Sequence, residues 1–421
     1  MAIASSAPQP PAAAFDVTYA RAQFPGLDGR CAFFDNAGGS LVLGRVIEDV
    51  ADYMRSCPVQ LGASYPASAE AARRTGEARD ALGLLLGAGE PLRAEELVLG
   101  ASSTALLRNL AEAMRERLVP GDEIVVTEAD HEANVTPWLR LERLGIVVRT
   151  WRLNRDSLEL EMADLEPLMG PRTRIVCFTQ ATNVLGTLHR AREIVQFVHG
   201  HGAEACVDGV AVAPHRLPDV RLFEADYYVL SLYKCFGPRL GLLYGRHDCL
   251  AALGNINHLD VGNARLPWKL EPGAYPYELA WGARRITDYL AGLGARHGAA
   301  GDLRSRLSSA FAGIAAYEHV LAARLLDYLH GKAGVTVVGR PDSDPARRLP
   351  IVSFVARDLE PAAIVAQVDR HGIGIRHGHF YALRLIRALG LPPSGVVRVS
   401  FAHYNTAGEV DRLIEVLDRI L

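Results

Sequence analysis

Lysine is almost absent from this sequence, although basic residues are not. Of its 421 residues, 45 are lysine or arginine, yet only Lys234, Lys269 and Lys332 are lysines. Arginine replaces lysine wherever a surface charge suffices, but it cannot supply a neutral amine for covalent chemistry. A catalytic lysine must therefore be one of these three. Lys269 lies in the polar segment PWKLEPG and Lys332 in a turn, HGKAGV, so we expect both to be surface charges.

The sequence also lacks paired cysteines, long apolar runs and an excess of one charge. Its six cysteines include no C-x-x-C pair, which argues against a zinc site or a disulfide framework and favours free thiols in the cytoplasm. No apolar run approaches the ~20 residues of a membrane-spanning helix. The net charge of −3 offers no basic surface for nucleic acid. Residues 1–14, rich in Ala and Pro, predict a flexible tail rather than a signal peptide. We therefore expect no metal, membrane or nucleic-acid partner.

Strands and helices alternate through the first two thirds of the chain. Short apolar or β-branched runs, separated by helical segments, occur at 96–100, 123–127, 146–151, 174–178, 204–208, 226–231 and 241–245. This rhythm is typical of a mixed, mostly parallel sheet with helices on both faces.

The alternation ends after a long amphipathic stretch at about 303–330. Beyond it we expect strands at 335–339, 349–355 and 396–401 and helices at 361–371, 380–389 and 407–421. We therefore predict an α/β protein with a large domain at 15–290 and a smaller α+β domain at 291–421. The N-terminal part of the large domain can pack with the small one.

Lys234 and Asp208 each follow a predicted strand, DYYVLS and EACVD. Ligands in open α/β sheets bind at the carboxyl ends of strands, so both side chains can face one crevice. A partly desolvated lysine can have a lowered pKa and attack a carbonyl, and an Asp can hold the protonated ring nitrogen of pyridoxal 5′-phosphate (PLP). From position alone, a lysine that reaches solvent from the strand end explains the pattern equally well.

Several segments resemble one enzyme family. SLYKCFGPRLGLLYG, VDG, DHEANVTPW and TNVLGT occur in an order and at spacings similar to those of the class V aminotransferase and cysteine desulfurase-like group of fold-type I PLP enzymes. The resemblance extends from about residue 30 to the C-terminus. It implies a large PLP-binding domain, a smaller C-terminal domain, and a homodimer with the site at the subunit interface.

The resemblance implies how the cofactor would be held. Lys234 would bind PLP as a Schiff base, Asp208 would hold the pyridine nitrogen, and His131 would stack on the ring. The phosphate would lie against the hydroxyl residues Ser102, Ser103, Thr104 and Ser231. Small hydroxyl residues at the start of a helix suit an anion, because free N–H groups point at it.

For the substrate, the resemblance implies two arginines, an amide and a glycine pair. Asn183 would approach the cofactor O3′ and the substrate carboxylate, and Arg398 would bind the α-carboxylate. Arg398 lies among apolar residues in VVRVSF, so its charge also needs an anionic partner on physical grounds. Arg376 matches a second family arginine, and Gly38 and Gly39 match a segment whose backbone lines the substrate pocket.

The chain departs from the cysteine desulfurase pattern at several positions. Tyr381 stands where the most similar desulfurases carry the cysteine that receives sulfur as a persulfide, so persulfide transfer by the usual route is not expected. Tyr381 and His379 can instead act as acid or base on a leaving group or on Cβ. Ala211, Tyr233 and Ala274 replace a family glutamine, histidine and threonine, and that threonine reaches the phosphate from the partner subunit.

These residues predict a PLP-dependent lyase that acts on cysteine or another β-substituted amino acid by β-elimination. Transamination, epimerisation and β-decarboxylation of an aspartate-like substrate with carbon–carbon bond formation are alternatives, since one Cα carbanion precedes them all. A non-catalytic scaffold would not need Lys234, Asp208 and Arg398. A nicotinamide-dependent dehydrogenase would carry a G-x-G-x-x-G turn after a strand, which the sequence does not contain.

Overall fold

The structure, a computed structural model, describes residues 15–421, and the predicted tail at 1–14 lies outside the described residues. The helices are α1 (Val17–Ala22), α2 (Gly44–Ser56), α3 (Pro66–Leu86), α4 (Ser103–Met114), α5 (Thr136–Leu139), α6 (Met162–Leu165), α7 (Ala191–Gly200), α8 (Val220–Phe223), α9 (His247–Ala252), α10 (Tyr277–Ala283), α11 (Arg285–Arg296), α12 (Leu303–His330), α13 (Pro361–Asp369), α14 (Leu383–Ala388) and α15 (Ala407–Ile420). The strands are β1 (Ala32–Phe33), β2 (Leu97–Gly100), β3 (Glu123–Thr127), β4 (Val147–Trp151), β5 (Thr173–Thr179), β6 (Glu204–Asp208), β7 (Tyr227–Ser231), β8 (Gly241–Gly245), β9 (Val335–Val338), β10 (Ile351–Ala356), β11 (Ile373–Gly374), β12 (Arg376–Gly378) and β13 (Val396–Ser400).

A seven-stranded sheet organises the larger part of the protein. Its strand order is β2-β8-β7-β6-β5-β3-β4, and only β8 runs antiparallel to its neighbours. Every residue of β3, β7 and β8 is buried, because helices cover both faces and leave no solvated side. The predicted mixed, mostly parallel sheet is thus confirmed. The chain order reverses between β3 and β5, which places a crevice at their carboxyl ends.

The smaller part is a four-stranded antiparallel sheet of order β12-β13-β10-β9. α12 packs against both α11 and β9, so this one long helix connects the two parts. β1 pairs in parallel with β11 in a separate two-stranded sheet, with Ala32 opposite Ile373. Ala32 and Phe34 belong to the hydrophobic core of the smaller part, so the N-terminal segment packs with it. The domain boundary at 290 stays a prediction. No helix within residues 15–421 combines the length and the apolar character needed to cross a membrane.

The helix predicted at 380–389 begins later than expected. α14 starts at Leu383, because Phe380 and Tyr381 adopt positive φ angles of 51° and 59° that cannot continue into a right-handed helix. Residues 379–382 are therefore a loop, and this loop lies at the candidate site.

Lys269 is not the surface charge that the sequence predicted. Its side chain is buried, and its Nζ donates to the carbonyl oxygens of Ala251 and Leu253 at 2.9 and 2.7 Å. These carbonyls lie at the end of α9, where a helix leaves acceptors without intrahelical partners. Burial also lowers the pKa of Lys269. Lys332, in contrast, is partly exposed and pairs with Asp418.

Candidate active site

Two strand ends and the turn that follows them bring the predicted cofactor residues into one cavity. Asp208 is the last residue of β6 and Ser231 the last of β7, and a 3-10 turn, Leu232–Lys234, carries Lys234 to the same edge. The cavity encloses about 540 Å³ of space between protein atoms, part of which is open to solvent. Its lining includes Lys234, Asp208, His131, Ser102, Ser103, Thr104, Ser231, Asn183 and Tyr233.

The Lys234 side chain is 8% exposed. Burial disfavours its charged form and the nearby Arg398 charge acts in the same direction, so the pKa of Lys234 is lowered to about 8, although Asp208 opposes the shift. An amine with this pKa is partly neutral at neutral pH. The cavity therefore provides a lysine that can attack a carbonyl.

The Asp208 carboxylate is buried with spare capacity to accept hydrogen bonds. Its Oδ1 accepts from the Val210 N–H at 2.9 Å. Burial raises the pKa of Asp208, an effect that the Lys234 charge only partly offsets. A protonated ring nitrogen would supply the counter-charge that this buried carboxylate needs.

The hydroxyl cluster lies at the N-terminus of α4. Ser102 caps this helix, its Oγ accepting from the Ala105 N–H at 3.1 Å, and the Ser231 hydroxyl donates to Ser103 Oγ at 2.8 Å. Gly241 of β8 packs directly behind, since a Cβ there would lie 2.4 Å from the Ser102 carbonyl carbon. Hydroxyls and free N–H groups at a helix start suit a phosphate.

His131 presents a neutral ring to the cavity. Its Nδ1 accepts from the Ala133 N–H at 3.0 Å, which leaves the proton of the neutral imidazole on Nε2. Burial, followed by the charges of Lys234 and Arg398, lowers the pKa of His131 to about 4. An uncharged aromatic ring in this position is suited to stacking on a flat cofactor.

Asn183 contributes a buried acceptor that lacks a partner. The side-chain Nδ2 of Asn183 donates to the Phe380 carbonyl at 2.9 Å, and the main-chain carbonyl of Asn183 accepts from Arg398 Nη1 at 3.1 Å. Within residues 15–421, its Oδ1 has no hydrogen bond, which is costly for a buried polar atom. A ligand hydroxyl would satisfy it. The groups that line the cavity thus fit PLP. They are an amine, a carboxylate, a flat aromatic ring, hydroxyls at a helix N-terminus that suit a phosphate, and an acceptor for a hydroxyl.

The buried Arg398 has an anionic partner that the sequence analysis missed. Arg398 is 1% exposed, and its Nη2 lies 3.0 Å from Asp35 Oδ1. Arg376 stands opposite Arg398 in the β12–β13 register, and its Nη1 lies 3.4 Å from Asp35 Oδ2. The Phe380 ring covers the guanidinium, with 3.7 Å between Arg398 Cζ and the ring centroid. The sequence signal for Asp35 is an acidic residue that follows directly on an aromatic pair in FFDNAGG, of which Phe34 is buried.

Gly38 and Gly39 allow two close approaches beside this ion pair. A Cβ on Gly38 would lie 2.8 Å from both carboxylate oxygens of Asp35, and one on Gly39 would lie 3.0 Å from the Tyr233 ring. A second cavity lies beside the first, and we call it the outer cavity. Its lining includes Gly38, Arg376, Arg398 and Lys234. Gly39 instead supports the Tyr233 ring from behind.

The loop 379–382 forms the mouth of the site. The strained backbone at Tyr381 is held by the Glu132 N–H, which donates to its carbonyl at 2.8 Å. The Tyr381 side chain is 64% exposed, and its ring centroid lies 5.3 Å from that of His131. His379 lines the same outer cavity. Both predicted acid–base groups are therefore accessible to a bound substrate.

Two other kinds of reactive group are missing from the described cavity. No cysteine of residues 15–421 lines it. Cys235, although adjacent to Lys234 in sequence, is buried, and burial raises its thiol pKa to about 12. In the same part of the chain, no group of three His, Cys, Asp or Glu side chains is arranged to bind a metal ion.

Comparison with known proteins identifies similar chains over nearly the full length. The family model described as Aminotransferase class-V matches residues 32–413. The chain is 38% identical to the aminotransferase-like protein FGM3 of Gibberella zeae, over 97% of this chain and 99% of the relative. It is 34% identical to the cysteine desulfurase-like protein ustD of Aspergillus flavus, over 96% and 91%. Among solved structures, the cysteine desulfurase CsdA of Escherichia coli superposes with a TM-score of 0.80 at 28% identity, covering 96% of this chain and 98% of that one.

Proposed function

The chain belongs to the class V aminotransferase family of PLP-dependent enzymes, and from this premise we propose that it is a lyase that releases a substituent from Cβ of a small amino acid by β-elimination. Cysteine, or another amino acid with a leaving group on Cβ, is the proposed substrate. Bound PLP supplies an electron sink that labilises the bonds at Cα. The residues proposed to hold it are Lys234, Asp208, His131, Asn183, Ser102, Ser103, Thr104 and Ser231.

The observation that carries the proposal is the tyrosine at position 381. A desulfurase of the usual type needs a cysteine at this mouth to take up sulfur, whereas here a tyrosine side chain is exposed there and no described cysteine lines the cavity. The sulfur on Cβ of a bound cysteine then has no thiol to attack it. It departs as sulfide, and the remaining three-carbon unit leaves as pyruvate and ammonia after hydrolysis.

Different residues of the chain are proposed to bind the substrate, to accept the Cα proton and to protonate the leaving group. Arg398 is proposed to bind the α-carboxylate and so to fix the orientation of the Cα–H bond. Lys234 Nζ, whose pKa is lowered to about 8, is suited to accept the Cα proton at neutral pH. The Tyr381 hydroxyl and the His379 ring are the candidates to protonate the leaving group.

Product analysis tests the proposal. The holoenzyme is incubated with cysteine, aspartate and alanine, and sulfide, carbon dioxide, pyruvate and ammonia are quantified against a Lys234→Ala background. Equal amounts of sulfide and pyruvate from cysteine are expected. Carbon dioxide from aspartate without sulfide from cysteine would instead favour decarboxylation, and keto acid formed at the expense of bound PLP would favour transamination.

A cysteine placed at the mouth offers a second test. In Tyr381→Cys, the introduced thiolate is expected to attack the sulfur of bound cysteine while that sulfur is still bonded to Cβ. The C–S electron pair then passes to Cβ, so a persulfide on the new cysteine and alanine form in place of part of the sulfide and pyruvate. The persulfide is detected by mass spectrometry after alkylation. Tyr381→Ser is the matched control, since it opens the same space without a thiol. No persulfide in the cysteine variant, while sulfide is still released, would place C–S cleavage away from this loop.

We also propose that the chain acts as a homodimer. The cavity continues into an open cleft lined by Arg108, Thr136 and Arg140, and α2 exposes Ile47 and Met54 on one face, as interaction surfaces often do. Sedimentation at nanomolar concentration measures the assembly. A monomer that retains full activity would contradict the proposal.

Cytoplasmic location is proposed from the thiols. All six cysteines are free, and five of them are buried as ordinary small apolar residues, which suits a reducing compartment. Fractionation of the native host tests this location.

A further inference from the structure

Asp35 bridges two arginines that would otherwise repel each other. Arg376 and Arg398 are directly opposite on neighbouring antiparallel strands, where like charges destabilise a sheet. The two oxygens of Asp35 separate them, at 3.0 Å from Arg398 and 3.4 Å from Arg376. Arg376 and Arg398 line the outer cavity together with Lys234. Asp35 lies beside the two arginines, and its charge acts on Lys234.

The segment around Asp35 is anchored on both sides. Asp35 bridges to Ser400 in β-fashion, the Ala37 N–H donates to Ser400 Oγ at 2.9 Å, and Asn36 Nδ2 donates to the Ser400 carbonyl at 2.8 Å. The Tyr404 hydroxyl donates to the Asn36 side chain as well. Because these contacts anchor its backbone, we expect the Asp35 carboxylate to keep its place beside the two arginines when substrate enters.

The arginine pair keeps donors for one further anion. Arg398 Nε is buried and has no hydrogen-bond partner within residues 15–421, and the Arg376 side chain is 54% exposed. Burial lowers the pKa of Arg398 to about 10, which leaves it charged at neutral pH. Two positive charges and one negative charge give this trio a net charge of +1.

We propose that Asp35 is a specificity-determining residue that limits the substrate pocket to one carboxylate, so that the enzyme accepts amino acids with an uncharged side chain and excludes acidic ones. This inference rests on the proposed function, in which Arg398 binds the α-carboxylate. Once that carboxylate neutralises the trio, a second anion on the substrate side chain has no free counter-charge and is repelled by the nearby Asp35. Asp35 acts through the two arginines and is a positioning residue rather than a catalytic one.

Binding of unreactive analogues to the holoenzyme tests the inference without turnover. α-Methylaspartate and α-methylasparagine differ in one negative charge, and neither has a Cα proton to lose. Their Kd values are measured from the change in the visible spectrum of bound PLP and by calorimetry, at about pH 8, where imidazoles carry little charge. The selectivity ratio is Kd for the aspartate analogue divided by Kd for the asparagine analogue.

The ratio is expected to exceed about tenfold in the native enzyme and to fall by about tenfold in Asp35→Asn, as one charge a few ångströms away implies. Asp35→Glu should keep the native ratio. Arg376→Gln, which alters an exposed side chain, should raise the ratio. If Asp35→Asn does not fold, the ratio measured for Arg376→Gln tests the inference in its place. Asp28→Asn is the matched control, because Asp28 pairs with Arg30 at the surface.

The outcomes separate this inference from the function on which it rests. A native ratio of one or less, or a ratio unchanged in both Asp35→Asn and Arg376→Gln, would overturn the role of Asp35 while amino-acid binding stands. If neither analogue nor cysteine alters the holoenzyme spectrum, the proposed function itself fails, and the inference fails with it.

Discussion

The cavity makes Lys234 more reactive by lowering the pKa of its amine. This pKa is lowered from 10.5 to about 8, so about a quarter of the amine is neutral at pH 7.5, compared with about 0.1% for an unperturbed lysine. The buried position thus raises the reactive fraction about 200-fold. The same difference corresponds to about 3 kcal/mol against the protonated form.

The scarcity of lysine makes this pKa directly measurable. Protein freed of PLP and labelled with lysine carrying carbon-13 at Cε gives only three lysine signals, and the Lys234 signal is the one missing from Lys234→Ala. Its titration midpoint is expected near 8. Arg398→Gln should raise the midpoint because it removes a repelling charge, and Asp208→Asn should lower it because it removes an attracting one.

A midpoint near 10.5, or shifts opposite to these, would refute the reasoning from burial and charge. Stability provides an independent check. Between pH 8 and 10.5 the unfolded chain binds the Lys234 proton and the folded chain does not, so the stability of the PLP-free protein gains up to about 3 kcal/mol from this group as pH rises through that interval. Lys234→Met should lack this gain, and an identical pH dependence of urea unfolding in both proteins would contradict it.

Two further predictions concern residues that support the site. Lys269→Met should lower the free energy of unfolding by about 1–3 kcal/mol, because two helix-end carbonyls lose their buried donor, whereas Lys332→Met at the surface should cost less than about 1 kcal/mol; equal effects in urea unfolding would contradict the assignment of Lys269. Gly241→Ala should weaken PLP binding about tenfold, since its Cβ would displace the Ser102 backbone. Gly76→Ala, where a Cβ meets nothing within 4 Å, should leave the PLP affinity in equilibrium dialysis unchanged.

The strands of the large sheet were predictable because they are buried on both faces. β3, β6 and β8 have the predicted limits, 123–127, 204–208 and 241–245, since each reads as one apolar run between polar turns. The helix expected at 380–389 was predicted less well. Its first residues have ordinary helical propensity, but contacts from Glu132 and Asn183 hold them in a left-handed loop, and tertiary contacts override local propensity.

The cofactor side of the site could also be read from the sequence. Lys234, Asp208 and Ser231 each end a strand or directly follow one, and parallel strands end at one edge of a sheet, so their proximity follows from local pattern alone. The rarity of lysine left three candidates, and the position directly after a buried strand distinguished Lys234 from the other two. By itself the sequence therefore determined the fold class and brought Lys234, Asp208 and Ser231 to the edge of the sheet where the cavity lies, whereas the bond between Lys234 and a carbonyl stays a prediction.

Only the tertiary structure decided how the remaining charges pair. Asp35 and Arg398 are 363 residues apart, and their contact depends on β1 joining β11 and on β12 aligning with β13. The sequence likewise predicts Lys269 at the surface, but α9 ends against its amine and buries it. Local patterns specify which face of an element is buried, but which polar groups meet inside depends on how whole elements pack, and that packing sets the charge that the substrate pocket presents.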